Sequence, residues 1–265
     1  MKRQPLFVGI AGGSGSGKTH FARDVAAGLG HERVAMMSMD QYFHSNPTER
    51  DARDTNFDHP SHLDFGLMSR HLNRLKKGAT IAAPSYDFRK MVQTPDAIEI
   101  EPKPIVLVEG LFVLAQPMVK LLDITMFLDV DADQRLLGRI LRDVRERGSS
   151  VEDIVDRYQR FVRPSYDVFV APTRQNADIV VDFTFRRILF AKLLTLFIQT
   201  YVEDGLDLES FTTELRAECH HLGFTPREGS MPVSIDIRKL ARDYPESVSA
   251  VPALAPEEPP LRPAH

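Results

Sequence analysis

The sequence predicts an α/β fold, a parallel sheet covered by helices on both faces, and three features lead there. Short apolar runs lack the polar alternation of a half-exposed sheet, helical spacing fills most of the gaps between them, and a Gly-rich loop joins the first run to the first helical pattern. The runs are Leu6 to Ala11, Val34 to Met39, Ile105 to Val108, Ile124 to Val130 and Ile179 to Val181. The start, MKRQPLFVGIAGG, passes straight into the loop without a signal-peptide apolar region and cleavage site, so it is read as the first strand. Thr19 to Leu29 follows as a helix. Phe65, Met68, Leu72 and Leu75 keep helical spacing and stop at Gly78, a C-terminal cap. Leu137, Ile140, Leu141 and Val144 repeat that spacing. Such alternation implies right-handed crossovers.

Elsewhere the pattern changes. Between Gly78 and Pro104, Thr80 to Ala83 and Ala97 to Glu101 flank a loop containing Tyr86, Asp87 and Phe88, which suggests an inserted β-hairpin. The richest apolar stretch, RRILFAKLLTLFIQTYV from Arg186, is interrupted by Lys192 and Gln199 before it reaches bilayer length, so it reads as a buried helix. Leu206 to Leu240 reads as a helix plus a strand at Val233 to Ile237, and 250–265, with five prolines, reads as disordered.

Composition narrows the function. With 43% hydrophobic and 26% charged residues, the chain is excluded from the collagen-like, low-complexity and largely disordered classes. A net charge of -4 argues against coating nucleic acid or an anionic membrane as the main task, so any anion site is local. The single cysteine, Cys219, excludes an internal disulfide framework and fits a reducing compartment. His220 and His221 beside it have no further ligand at suitable spacing and read as a surface helix.

Residues 12–19 read GGSGSGKT, the G-x-x-x-x-G-K-[ST] phosphate loop, directly after a strand and before a helix. Gly12, Gly13, Gly15 and Gly17, with Ser14 and Ser16 between them, let successive backbone N–H groups face phosphate oxygens, and the next helix adds its positive end. Lys18 is placed to neutralise the outer phosphates and the Thr19 hydroxyl to ligate Mg²⁺. This makes the predicted sheet one of the P-loop NTPase type.

Ligands of a parallel sheet gather at the carboxyl ends of its strands, where this chain carries Asp40 and Glu109. Either carboxylate alone could simply cap a strand or a helix. Beside a phosphate loop, Asp40 is the better base for an acceptor hydroxyl and a candidate metal ligand, while Glu109 is the metal-side group. Arg135, Arg139, Arg142, Arg145 and Arg147 fall on one helix whose other face carries the Leu137 to Val144 stripe. That arrangement reads either as a solvated face paired to Asp143 and Glu146 or, as favoured here, as a cationic lid over a phosphoryl group.

From about Phe7 to Asp182 the sequence resembles the uridine kinase family, the uridine-cytidine kinases. The matching blocks are GGSGSGKT, MDQYF at Met39 to Phe43, NFDHP at Asn56 to Pro60, SYDF at Ser85 to Phe88, VEG at Val108 to Gly110, RILRDVRERG at Arg139 to Gly148, and Tyr158 to Val181. The resemblance implies transfer of the γ-phosphate of ATP or GTP, with Mg²⁺, to the 5'-hydroxyl of uridine or cytidine in pyrimidine salvage. It further implies a cytoplasmic homo-oligomer, a tetramer in most relatives, with no nucleic-acid or membrane partner. Carried over by position, Asp40 is the base, Tyr42 lines the acceptor pocket, and Asp58 holds the ribose diol. Phe57, Tyr86 and Phe88 pack around the base, Arg139 reaches the donor phosphates and Arg142 helps bind the acceptor. His59 and His62 shape the acceptor loop.

Three departures set this chain apart. Met91 stands where relatives place a base-reading histidine, and a thioether donates no hydrogen bond. Ser149 replaces an arginine that often follows the lid, and Asp182-Phe183-Thr184-Phe185 replaces a Pro-Arg-Gly turn near the donor base. Met91 keeps a second acceptor class open, a sugar or sugar phosphate as in phosphoribulokinases. A nucleotide-sensing regulator is the competing class, though it has no use for a base and a diol clamp. The expected organisation is a kinase domain over 1–204, an extension over 205–249 and a tail over 250–265.

Overall fold

The structure, a computed structural model, describes residues 4–45, 55–182 and 187–203. Strand β1 (Leu6–Gly12) leads through the phosphate loop into α1 (Lys18–Leu29) and β2 (Val34–Ser38). Helix α2 (Phe65–Lys76) is followed by the antiparallel pair β3 (Ile81–Asp87) and β4 (Val92–Ile100), then by β5 (Ile105–Glu109) and β6 (Ile124–Asp129). Beyond β6 come α3 (Ala132–Arg142), α4 (Val151–Arg157), α5 (Arg163–Ser165), β7 (Ile179–Asp182) and α6 (Arg187–Glu203). The main sheet has the order β2-β5-β1-β6-β7, and each neighbouring pair is parallel.

The continuous apolar runs follow from two cores, one on each face of this sheet. Along β1, Phe7 and Ala11 belong to one core, and Leu6, Val8 and Ile10 to the other. Along β5, Val106 and Val108 are divided in the same way from Ile105 and Leu107. Successive side chains of a strand point to opposite faces, so a strand covered on both sides must be apolar at every position. The first core is closed by α2 through Phe65, Met68, Leu72 and Leu75, at the spacing read from the sequence. The second is closed by α1 through Phe21, Val25 and Leu29, with α6 outside it through Ala191, Leu194 and Ile198. Each fully buried side chain of this size contributes roughly 1.5–3 kcal/mol relative to exposure.

Three expectations are revised. The hairpin strands extend further towards the tip than predicted, so Tyr86 and Asp87 lie on β3, with Tyr86 opposite Gln93 and Asp87 opposite Val92. The second strand stops at Ser38, and Met39 and Asp40 begin a 3₁₀ turn, Met39–Tyr42, because Ser38 caps it: its hydroxyl accepts from Asp40 N while Gln41 Oε1 accepts from Ser38 N. Helix α6 is buried on one side only. Its apolar residues run all round, but Ile188, Leu189, Leu193 and Leu196 on the outer side face solvent because α6 is the outermost layer over α1.

Helix α3 turns its arginines inward, as the lid reading requires. Leu137 and Leu141 are 53% and 55% exposed, while Arg135 and Arg139 are 4% and 7% exposed. Arginines at 135, 139 and 142 have the same helical spacing as the leucines, so periodicity alone does not choose the inner face. Beneath α3 lie the phosphate loop and Asp58 rather than hydrocarbon, so the charged face turns inward. The readings for Leu206 to Leu240, for Cys219, His220 and His221, for Phe183 to Phe185 and for the tail fall outside the described residues, as do both proposed domain boundaries. Among the described residues no helix is long and apolar enough to cross a membrane.

Candidate active site

The phosphate loop is shaped by what surrounds it. Gly15 has φ +82°, a left-handed conformation that L side chains rarely adopt, and a Cβ there would collide with the Arg135 carbonyl. Gly13 is needed for space: a Cβ on it would lie 2.6 Å from Arg135 Nη1 and 3.0 Å from the Tyr166 ring. Lys18 Nζ donates to Gly13 O at 2.9 Å, so the lysine folds back along the loop. Burial pulls the Lys18 ammonium below its ordinary pKa, against the opposing charges of Glu109 and Asp40.

Sheet register brings the carboxylates to this loop. Ser38 at the end of β2 pairs with Glu109 at the end of β5, and Ile10 of β1 also pairs with Glu109. Glu109 Oε1 accepts from Ser38 Oγ at 2.6 Å and from Thr19 Oγ1 at 3.1 Å. Burial, then the nearby Asp40 charge, raises the Glu109 pKa above the usual carboxylate range. Hydroxyl and carboxylate oxygens at one point form a hard donor set, and among the described residues no group of three or more His, Cys, Asp or Glu could hold a metal alone. That chemistry suits Mg²⁺, which takes few protein ligands and completes its shell with phosphate and water.

A cavity of about 190 Å³ is lined by Ser14, Lys18, Thr19, Asp40, Phe57, Asp58, Tyr86, Phe88, Met91, Glu109, Arg139 and Arg142. A second, of about 670 Å³, continues past Gly15, Gly17 and Lys18 towards the hairpin and shares Asp40, Glu109 and Arg142. Gly12, Gly13 and Ser16 complete the loop behind these openings. Tyr42 is the exception. It is fully buried, its hydroxyl lies 2.9 Å from His71 Nδ1, and it lines neither cavity. The 3₁₀ turn sends Asp40 towards the cleft and Tyr42 into the core, so the expected acceptor contact is replaced by a structural one.

One end of the first cavity is aromatic. Phe43, Tyr86 and Phe88 meet at ring-centroid distances of 5.0 to 6.1 Å, and Arg157 lies 5.3 Å from the Phe57 ring centroid. The Tyr86 hydroxyl is buried without a hydrogen-bond partner, and burial, first among several causes, pushes its pKa up to about 12. Met91 at the hairpin tip has φ +56°. Asp58 faces Arg139 at 3.6 Å, and Arg139 Nη1 donates to Ser14 Oγ at 2.9 Å. One arginine thus joins Asp58 to the phosphate loop.

Asp143 organises the lid. It opens a π-helical turn, Asp143–Arg147, continuous with α3, and pairs with Arg139 at 3.3 Å, Arg142 at 2.8 Å and Arg147 at 3.3 Å. Burial acts to raise its pKa, but the hydrogen bond and charge of Arg142 and the charges of Arg147 and Arg139 outweigh it, and the carboxyl stays below its ordinary value. The arginines are therefore held facing the cleft by an acid within their own helix.

A family model described as Phosphoribulokinase / Uridine kinase family matches residues 7–187. The chain belongs to the phosphoribulokinase and uridine kinase family. A uridine kinase of Clostridium perfringens is 41% identical over 184 residues, covering 68% of this chain and 88% of the relative. Another from Chloroflexus aurantiacus is 39% identical over 184 residues, with the same 68% and 88% coverage. Among solved structures, a Silicibacter sp. TM1040 chain described as a fructose transport system kinase has a TM-score of 0.57 at 20% identity, covering 68% of this chain and 91% of that one. The phosphoribulokinase of Rhodobacter spheroides has a TM-score of 0.51 at 16% identity, covering 71% and 75%. These two likenesses bear on the fold alone. In this phosphoribulokinase and uridine kinase family member, sequence reasoning underrated Asp143 and gave no role to Arg89, Asp153 or Arg157, which also line the cavity. An acid embedded among arginines was the available signal for Asp143; nothing local marked the others.

Proposed function

We propose that this chain is a nucleoside kinase that transfers the γ-phosphate of ATP or GTP to the 5'-hydroxyl of uridine or cytidine. The observation that carries the reading is the meeting, in one cavity, of a phosphate-loop lysine, two candidate carboxylates for an acceptor sugar, Asp40 and Asp58, and an aromatic end. Lys18 and the loop N–H groups hold the donor phosphates. Asp40 accepts the proton of the 5'-hydroxyl as its oxygen bonds to the γ-phosphorus and the bond to the β,γ-bridging oxygen breaks. Asp58 accepts hydrogen bonds from both hydroxyls of a vicinal diol, which disfavours a deoxyribose that leaves one bond unmade. Phe57, Tyr86, Phe88 and Met91 enclose the base, and Arg139 and Arg142 offset charge on the transferring phosphoryl group.

Thr19, Asp40 and Glu109 are the residues that would hold Mg²⁺, which when bound neutralises phosphate charge. The curated relatives named uridine kinase support this acceptor over a sugar phosphate. A cytoplasmic homo-oligomer is the accompanying expectation. The test is an acceptor panel of uridine, cytidine and ribulose 5-phosphate with each triphosphate, repeated on Lys18→Ala and Asp40→Asn. Phosphorylation of a pyrimidine nucleoside, lost by at least about 100-fold in both variants with the fold retained, is the expected result. Near-normal rates in either variant contradict its assigned role, and phosphorylation of ribulose 5-phosphate alone overturns the acceptor.

A further inference from the structure

The hairpin tip and the end of the lid touch through two reciprocal cation contacts. Arg89, one residue past Phe88, donates its Nε–H to the Glu146 carbonyl in the π-helical turn at 2.9 Å. In the other direction, the Arg147 guanidinium of that turn lies 4.3 Å from the Phe88 ring centroid. Arg89 is presented for this by its own loop: Asp87 Oδ1 accepts from Arg89 N at 2.8 Å and from Lys90 N at 3.1 Å, and Met91 closes the tip in the left-handed region. Glu146 lies in the last turn of its helical segment, where carbonyls lack intrahelical partners and attract cations. Arg89 also lines both cavities, the aromatic one and the one beside the phosphate loop.

We propose that Arg89 is a positioning residue that couples the two substrate sites by fastening the acceptor-side hairpin to the arginine lid. The inference rests on the kinase reading above. With a base seated among Phe57, Tyr86 and Phe88, the hairpin is fixed, and through Arg89 the lid that carries Arg139, Arg142 and Arg147 is fixed with it. A donor arriving at an ordered lid no longer has to order it, so each substrate tightens the other, by the same factor in either direction. A cation capping a helix end across two elements fits this role better than a strength of its own, because an exposed contact of this kind contributes little stability.

The experiment is calorimetric titration of full-length protein with Mg²⁺ and a non-hydrolysable ATP analogue, with and without saturating uridine, for the wild type, Arg89→Lys and Arg89→Ala. The wild type is expected to bind the analogue at least about 5-fold tighter when uridine is present. Arg89→Ala is expected to lower that factor to below about 2, whatever it does to the affinity for either substrate alone, and Arg89→Lys to recover part of it. A purely structural role for Arg89, or one confined to lining the cavities, would shift the folding midpoint or the separate affinities and leave the factor intact. Retention of the full factor in Arg89→Ala, or no factor in the wild type, overturns the inference alone. Failure of the wild type to bind uridine at all overturns it together with the nucleoside reading.

Discussion

Replacing Asp143 with asparagine tests the inward setting of the lid arginines most directly. The Asp143 side chain is 5% exposed and faces three guanidinium groups, Arg139, Arg142 and Arg147, whose own side chains are 9%, 30% and 24% exposed. Asp143→Asn keeps the shape and removes the negative charge at the centre of this cluster, leaving three cations facing one another. Breaking a fully buried pair by removing one partner costs about 3–5 kcal/mol. Two of the three arginines reach solvent, which screens them, so the expected loss is about 2–4 kcal/mol. For a domain of this size that lowers Tm by roughly 5–15 °C. The direction with pH follows from the depressed Asp143 pKa. Its contribution is full above the ordinary carboxylate range and lost as pH falls through the lowered folded value, so the gap between wild type and variant narrows below about pH 4. Differential scanning calorimetry on nucleotide-free protein at several pH values measures this. A Tm within about 1 °C of wild type at neutral pH would refute the claim that Asp143 holds the lid arginines inward.

Gly13→Ala is expected to weaken donor binding by at least about 10-fold through its clash with Arg135 and Tyr166, and Arg135→Ala in the same chain should relieve part of that loss; strictly additive effects on the donor Kd would argue against the clash. Met91→Gly should raise stability and Met91→Val lower it, each by up to about 1–2 kcal/mol and read as opposite shifts in Tm, because φ +56° strains any L residue and a β-branched one most; equal midpoints would exclude strain at the tip. Glu109→Gln should reduce turnover yet stabilise the nucleotide-free protein. The raised Glu109 pKa means its favourable contribution is present at low pH and lost as pH rises through the folded value, so the variant's advantage in Tm should grow as pH rises above the ordinary carboxylate range; a constant difference would contradict a strained Glu109 charge.

Much of this architecture was legible because parallel strands covered on both faces must be apolar at every position, which β1 and β5 display. The phosphate loop was legible for a related reason: its glycines and Lys18 are contiguous, so the motif carries its own geometry. The inward face of α3 was legible only through the phosphate loop, which favours a cationic lid over it. Two stripes with one spacing compete there, and only the polar cleft contributed by distant segments decides between them. Tyr42 was misread for a local reason, since a two-residue offset in a 3₁₀ turn reverses direction more readily than in a strand, and the capping by Ser38 that creates the turn was not weighed. Arg89 left no trace in the sequence because its partner is a backbone carbonyl, which every residue possesses.

The orientation of α3 also governs the thermodynamics of lifting it. Leu137, Leu141 and Val144 already meet water with the helix down, so raising it wets guanidinium and carboxylate groups together with the half-buried Leu136 and Ile140 rather than a full apolar stripe. Heat capacity rises with newly wetted hydrocarbon and falls with newly wetted polar surface. Departure of this helix from the cleft therefore carries a small or negative heat-capacity change, leaving its equilibrium nearly straight with temperature and steeply responsive to ionic strength.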